Sequence, residues 1–153
     1  MDQRVSFITL AVRDLMASRR FFVDGLGWEA ALDVSGEVLM FKVADKVVLS
    51  LWDAQAFEAE IGSPPSLGGV PPVTLAHNCA TKEGVDRVLE TARRAGAETV
   101  GDAEEREWGG YSGYFADGTQ VWKHGYSGYF TDPDGFRWEV AYNPGEIGQA
   151  VLP

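Results

Sequence analysis

The chain has 153 residues, of which 45% are hydrophobic, 24% charged and 12% aromatic. This composition excludes disordered and coiled-coil classes, and a chain of this length folds without disulfides or structural metals, so we expect a single domain over residues 1–153. Lys and Arg number 13 against 23 Asp and Glu, which gives a formal net charge of -10. That sign disfavours nucleic acid and an anionic membrane as partners. It either favours a cationic ligand or serves solubility alone.

Two further features predict a cytoplasmic protein. The N-terminal residues lead directly into a patterned segment without the apolar stretch of a signal peptide. No apolar run approaches the roughly 20 residues needed to cross a bilayer. Cys79 is the single cysteine, so no intrachain disulfide can form.

The first third of the chain is typical of a strand, a helix and three strands. Residues 5–12 are apolar and rich in β-branched residues, as expected of a strand. Asp14 stands at an N-cap position, and apolar residues follow at helical spacing up to Gly25 and Gly27. Turn residues separate three further strand-like runs, at 28–34, 37–43 and 46–52. This βαβββ order predicts a first module at residues 5–52.

A second module follows a linker. Residues 53–71 have the proline and glycine content of a linker, with a short helical turn inside it. The string at 73–77 then resembles that at 8–12, and Thr81 can cap a helix. Strand-like segments complete a second βαβββ order, which predicts a second module at residues 72–143.

A shorter repeat lies inside the second module. Residues 110–117 read GYSGYFAD and residues 125–132 read GYSGYFTD, which indicates a tandem duplication. Asp117-Gly118 is typical of a tight turn, so we expect an additional β-hairpin within residues 110–132. Either copy can pair with the same neighbouring strand, since both carry the same side chains. The insert is a tolerated surface insertion, a lid over a ligand cavity or an added dimer contact.

Two longer motifs carry a resemblance to a known family. The opening FITLAVRDL and SRRFFVDGLGW, the closing GYFTDPDGFRWEVAYNP and the paired modules together resemble the vicinal oxygen chelate superfamily. This group includes glyoxalase I, bleomycin-resistance proteins, fosfomycin-resistance proteins and extradiol dioxygenases. The resemblance implies an α+β, glyoxalase-like fold in which two βαβββ modules form a half-open, cup-shaped mixed sheet, and it implies a homodimer. It specifies no activity, because the fold supports several unrelated ones.

In metal-dependent members of the superfamily, the ligands come from the first and last strand of each module. The resemblance places these positions at Phe7, Ser50, Pro72 and Glu139. Phe and Pro side chains offer no lone pair and a Ser hydroxyl is a weak donor, so only Glu139 is a strong ligand. We therefore expect neither a metal nor a cofactor.

The two histidines are candidates for rebuilding a metal site with Glu139. Strand alternation directs His77 toward the helix side of the sheet, where backbone or helix-end groups would satisfy it. His124 lies in the duplicated segment beside a glycine, where a solvent-exposed turn is expected. The three residue types match a non-haem iron triad, but nothing in their spacing brings them together.

Strand alternation also predicts the side chains that line the cavity. The expected ligand-binding residues are Phe7, Thr9, Ser50, Trp52, Thr74 and Arg137. Trp52 would supply a stacking surface and Glu139 a charge, which suits a small aromatic or cationic molecule. Alternatively, Trp52 caps the core and Glu139 pairs with an arginine such as Arg137.

Three functions remain open from the sequence. The first is a small-molecule-binding protein of the bleomycin-resistance type, dimeric and without the usual metal site. The second is a lyase, isomerase or dioxygenase that uses Glu139 as general base or a relocated metal. The third is a protein whose insert has removed the ancestral activity.

Overall fold

The computed structural model describes residues 1–63, 65, 71, 73–114 and 120–153, and the side chains of these residues except 106–114 and 120–124. It divides into two compact units, Met1–Pro71 and Pro72–Pro153. Each unit contains one mixed sheet with helices, which confirms the predicted α+β class. None of the helices in the described part of the chain is long and apolar enough to cross a membrane.

The first unit has the predicted βαβββ order. Its elements are β1 (Phe7–Val12), α1 (Leu15–Arg19), a π-helical continuation (Arg20–Gly25), β2 (Leu32–Val34), β3 (Val38–Ala44), β4 (Val47–Asp53) and α2 (Ala54–Ile61). The sheet order is β1-β4-β3-β2, with β1 parallel to β4 and the other pairs antiparallel. The helical turn expected in the linker is an eight-residue helix.

The helical segment of this unit packs apolar residues against the sheet. Asp14 caps α1, because its Oδ1 accepts hydrogen bonds from two backbone N–H groups of the first turn at 2.9 and 3.0 Å. Phe21 and Phe22 are buried, and the ring of Phe22 lies 5.5 Å from that of Phe41 on β3. The core of the unit therefore lies between this segment and the sheet.

The sequence pattern predicts one strand over residues 28–34, but the strand covers only Leu32–Val34. The N–H of Trp28 donates to the carbonyl of Phe22 at 2.9 Å. The ring of Trp28 lies 5.2 Å from that of Phe22 and 5.3 Å from that of Phe41. The longer strand is wrong because the indole of Trp28 packs in the aromatic core, and the chain first bonds to the sheet at Ala31, whose N–H donates to the carbonyl of Met40 at 2.8 Å.

The second unit repeats this plan with one additional strand. Its elements are β5 (Thr74–Asn78), α3 (Lys82–Ala95), β6 (Thr99–Val100), β7 (Glu104–Tyr114), β8 (Gln120–Thr131), β9 (Arg137–Tyr142) and α4 (Glu146–Ala150). The sheet order is β5-β9-β8-β6, and β7 also pairs with β8. As in the first unit, the first and last strands run parallel, and the other pairs are antiparallel.

Helix α3 begins and ends where the sequence predicts. Thr81 caps it by accepting the N–H of Gly84 at 3.1 Å, and Gly96 ends it with a φ of 94° that favours glycine. Val85 and Leu89 are buried on the face that packs on β8 and β9. The amphipathic spacing therefore identifies the face that covers the second sheet.

The duplicated segment forms the predicted additional hairpin, made of β7 and β8. Its paired residues lie within 104–114 on one strand and 120–127 on the other. The second copy of the repeat, through residues 126–131, also pairs with β9. The predicted turn residues Asp117 and Gly118 lie outside the described residues. A role of the hairpin as lid or dimer contact stays a prediction.

Gly128 of the second copy lies directly under α3. A Cβ there would stand 2.6 Å from Cδ1 of Leu89 and 3.1 Å from the backbone of Ala103. Because a backbone does not move aside easily, we expect Gly128→Ala to lower the free energy of unfolding by about 1–3 kcal/mol. Gly101→Ala is the control, since its Cβ would meet only the carbonyl of Tyr129, at 3.7 Å. Urea denaturation compares the two variants, and equal losses would contradict this packing.

The turn between β8 and β9 is organised by the buried carboxylate of Asp132, which is 2% exposed. Its Oδ1 accepts the backbone N–H groups of Asp134 and Phe136, each at 3.0 Å. Its Oδ2 accepts the Nε1–H of Trp138, also at 3.0 Å. These bonds tie the turn to the first residues of β9 and fix where that strand begins.

Burial raises the pKa of Asp132 from 3.8 to about 6, although its hydrogen bonds oppose the shift. Because the folded state then binds the proton more tightly, this group stabilises the fold below pH 3.8 and the contribution is lost as the pH rises through about 6. The loss amounts to about 3 kcal/mol in the free energy of unfolding. Asp132→Asn cannot titrate, so its urea-denaturation profile between about pH 4 and pH 7 should lack this decline. A decline of the same size in the variant would contradict the assignment.

Candidate functional site

One face of the first sheet carries the residues predicted to line a cavity. The register of β1 with β4 pairs Thr9 with Ser50. Since alternate residues of a strand point to the same face, this face, here called the β4 face, carries Phe7, Thr9, Ser50 and Trp52. The opposite face, with Leu49 and Leu51, is buried in the apolar core. The alternation predicted from the sequence is therefore present in the sheet.

Two polar atoms on the β4 face are buried without a partner. Ser50 is 1% exposed, and among the described residues neither its Oγ nor the Nε1 of Trp52 has a hydrogen-bond partner. A buried polar group left unpaired costs about 1–3 kcal/mol, and most such groups in native proteins are paired. A ligand group that hydrogen-bonds to Ser50 and Trp52 would remove this cost.

Helix α2 covers the indole of Trp52. The ring of Phe57 on α2 lies 6.5 Å from the indole in an edge-to-face arrangement. The sequence left open whether Trp52 is a ligand-stacking surface or a cap on the core. The structure instead places the indole under α2, a helix in which no residue is buried.

The corresponding face of the second sheet, here called the β9 face, carries Glu139. The register of β5 with β9 pairs Thr74 with Arg137 and Ala76 with Glu139, so these side chains share the face. The hydroxyl of Tyr129 on β8 donates to Oε1 of Glu139 at 2.9 Å. Within the described part of the chain, the carboxylate of Glu139 is thus bound by this hydroxyl and forms no ion pair with Arg137.

Tyr129 is the site residue that the sequence analysis missed, because it belongs to the segment interpreted as an insertion. The register pairs it with Glu139 across the hairpin. Counting outward from the Asp132 turn would have found it, since antiparallel strands joined by a short turn pair symmetrically about that turn. The second copy of the repeat therefore belongs to the β9 face as well as to the hairpin.

The helix caps give a second way to align the two modules. Asp14 and Thr81 each cap the helix after the first strand of their unit. Phe7 and Thr74 each lie seven residues before that cap. Thr74 is thus the counterpart of Phe7 in place of Pro72, which itself lies outside the described residues. The two alignments differ because the matching apolar strings are offset by two residues from the matching caps, and the position at Pro72 stays a prediction.

The residues at the inherited ligand positions do not fit a metal ion. Phe7 has no lone pair, Ser50 and Thr74 offer neutral hydroxyls, and Tyr129 already donates to the carboxylate of Glu139. Zinc and related ions take several imidazole, thiolate or carboxylate ligands. Among the side chains that the structure describes, no three of His, Cys, Asp and Glu come together as a possible metal site.

His77 does not complete a metal-ligand set with Glu139. His77 pairs with Val140, whose side chain is buried on the helix side, so His77 lies on the face opposite Glu139. Partial burial lowers the pKa of its imidazole below the ordinary 6.5. The side chain of His124 lies outside the described residues, and its part in a metal site stays a hypothesis.

Comparison with solved structures finds the same architecture. A glyoxalase-related enzyme from Fulvimarina pelagi is 29% identical with a TM-score of 0.69, over 93% of this chain and 89% of that chain. A glyoxalase/bleomycin resistance protein/dioxygenase from Nocardioides is 24% identical with a TM-score of 0.68, over 95% of this chain and 90% of that one. Lactoylglutathione lyase from Agrobacterium tumefaciens is 22% identical with a TM-score of 0.58, over 93% and 95%. The latter two similarities show the fold alone.

Sequence comparison identifies the family. No curated protein matches the chain. The family model of the Glyoxalase/Bleomycin resistance protein/Dioxygenase superfamily matches residues 4–140. The match covers the first module, the duplicated hairpin and the second module as far as Val140 on β9. The chain therefore belongs to the glyoxalase/bleomycin resistance protein/dioxygenase superfamily.

Proposed function

We propose that this protein binds a small aromatic or cationic organic molecule, in the manner of bleomycin-resistance proteins and without the metal site of the metal-dependent members. The observation that carries the proposal is the chemistry of the inherited ligand positions. Glu139 is the single strong metal ligand among them, and Tyr129 already donates to it at 2.9 Å. The remaining positions offer hydroxyl and aromatic groups, which suit an organic molecule better than an ion.

The β9 face supplies the features that an organic cation requires. The hydrogen bond from Tyr129 holds the carboxylate of Glu139 in one orientation. Tyr129, which is 39% exposed, offers the π-surface of its ring to a cation beside this carboxylate. The net charge of -10 raises the local concentration of cations around the protein.

Benzyltrimethylammonium is a suitable probe, because it joins an aromatic ring to a permanent cation. We expect Glu139→Gln to weaken its binding about tenfold, since the amide removes the charge that faces the cation. Glu146→Gln is the matched control, because it removes the same charge from an exposed position on α4. Calorimetric titration compares the two. Equal weakening, or no binding by the unaltered protein, would contradict the proposal.

The same hydrogen bond favours a second candidate, a lyase, isomerase or dioxygenase in which Glu139 acts as general base. A general base must be held within hydrogen-bond reach of the proton it removes, and Tyr129 fixes the carboxylate in this way. In a lyase or isomerase of this kind, Glu139→Gln would lower kcat about 100-fold or more with little change in Kd, because the amide cannot accept the proton. A pure binding protein would lose affinity instead.

The proposal includes a homodimer in the cytoplasm, with neither nucleic acid nor membrane as partner. The family resemblance supports the dimer, and the formal charge of -10 supports the absence of polyanionic partners.

A further inference from the structure

The unpartnered pair on β4 extends the proposed function, on which this inference rests. We propose that Ser50 and Trp52 bind the carbonyl oxygen of a flat, neutral aromatic ligand, and that α2 covers the indole of Trp52 until the ligand enters. The pair lies wholly within the first unit. The inference therefore concerns a different part of the chain from Glu139.

The chemistry of the two atoms defines the group that they can bind. Trp52 Nε1–H can only donate a hydrogen bond, while the Ser50 hydroxyl can donate or accept. The two residues point to the same face and are about 6.6 Å apart along the strand. A group between them must be an acceptor for Trp52, and a carbonyl oxygen has two lone pairs that can accept from both donors.

The charges of the β4 face favour a neutral acceptor. The strands of this face carry no carboxylate, and Glu58 and Glu60 of the covering helix α2 are exposed to solvent, so a cationic group would find no buried countercharge there. Its ionisable residue is Lys42, which lies 3.8 Å from Asp45. An anion would lose its hydration shell and gain hydrogen bonds from only two uncharged donors, which do not offset the cost of desolvating its charge. The net charge of -10 also repels it. A neutral carbonyl meets neither obstacle.

Aromatic surfaces on this face favour a flat ligand. Phe7 is 56% exposed on the same side of the sheet. The indole of Trp52 presents a second aromatic surface once Phe57 moves away from it. Aromatic rings of a ligand pack well against such side chains.

Helix α2 has the properties of a cover. None of its residues is buried, and the ring of Phe57 contacts the indole of Trp52. Asp53 caps its first turn, and Gly62 ends it with a φ of 78°. A segment with so few buried contacts opens at a small free-energy cost. Movement about these two ends would expose Nε1 of Trp52 to a ligand.

The carbonyl contact is tested with acetophenone and with ethylbenzene, a probe of similar shape that lacks the oxygen. Indole N–H signals are recorded on protein with ¹⁵N-labelled tryptophan, and Trp52→Phe assigns the Trp52 signal. We expect acetophenone to shift this signal downfield and ethylbenzene to cause no downfield shift, because only acetophenone can accept the hydrogen bond. No shift with acetophenone, or the same shift with both probes, would overturn the inference.

Ser50→Ala tests the second donor. It should weaken acetophenone binding about fivefold and leave ethylbenzene binding unchanged, because only one hydrogen bond is removed. Ser35→Ala is the control, since Ser35 is exposed in the turn before β3. Equal affinities of Ser50→Ala and Ser35→Ala for acetophenone would show that the Ser50 hydroxyl does not bind the ligand.

The cover is tested by hydrogen exchange at the Trp52 indole. Phe57→Ala should raise the exchange rate about tenfold, because the ring that covers the indole is gone. Ile61→Ala is the control on the same helix, since Ile61 is 60% exposed. An unchanged rate in Phe57→Ala would show that α2 is not the cover.

The outcomes separate this inference from the proposed function. If benzyltrimethylammonium binding depends on Glu139 while acetophenone leaves Trp52 unaffected, the inference fails and the proposed function stands. If acetophenone shifts the Trp52 signal while Glu139→Gln leaves benzyltrimethylammonium binding unchanged, the inference stands and the role of Glu139 fails. If neither probe binds, both are wrong.

Discussion

The parallel pairing of the first and last strand in each unit is the constraint on which the rest of the structure depends. It joins β1 to β4 and β5 to β9, and its register decides which side chains share a face. Because strand side chains alternate with a period of two, a shift of one residue would exchange the polar and core faces. In the second unit, Asp132 fixes where β9 begins after β8 by bonding to Phe136 and Trp138.

The same carboxylate explains why the second copy of the duplicated segment is the one that pairs with β9. Trp138, whose indole donates to Asp132, lies six residues after it. Six residues after Asp117, at the same position of the first copy, stands Lys123. The first copy therefore lacks the indole donor that Asp132 uses, although the two copies differ at a single residue. The ambiguity of register that the repeat predicts is resolved by residues that lie beyond the repeat.

Helix caps, apolar spacing and turn residues in the sequence predict much of the fold. Most of the predictions that were wrong depend on how side chains pack in three dimensions. Helix α3 was predictable because its cap, its apolar spacing and its terminal glycine agree. The extra strand residues before Leu32 were wrong because the indole of Trp28 closes the core. For the site, alternation alone placed Ser50 and Trp52 on one face. Their lack of hydrogen-bond partners depends on what covers them in three dimensions, which no local pattern contains.

The central claim is that an organic molecule, rather than a metal ion, is bound at the inherited ligand positions. The most direct measurement is the metal content of the purified protein after dialysis against nickel, zinc, iron and manganese, with Glu139→Gln alongside. The donor set predicts far less than one metal ion per chain in both proteins, with no difference between them. Stoichiometric metal in the unaltered protein that is lost in Glu139→Gln would contradict the account, because Glu139 would then belong to a complete ligand set.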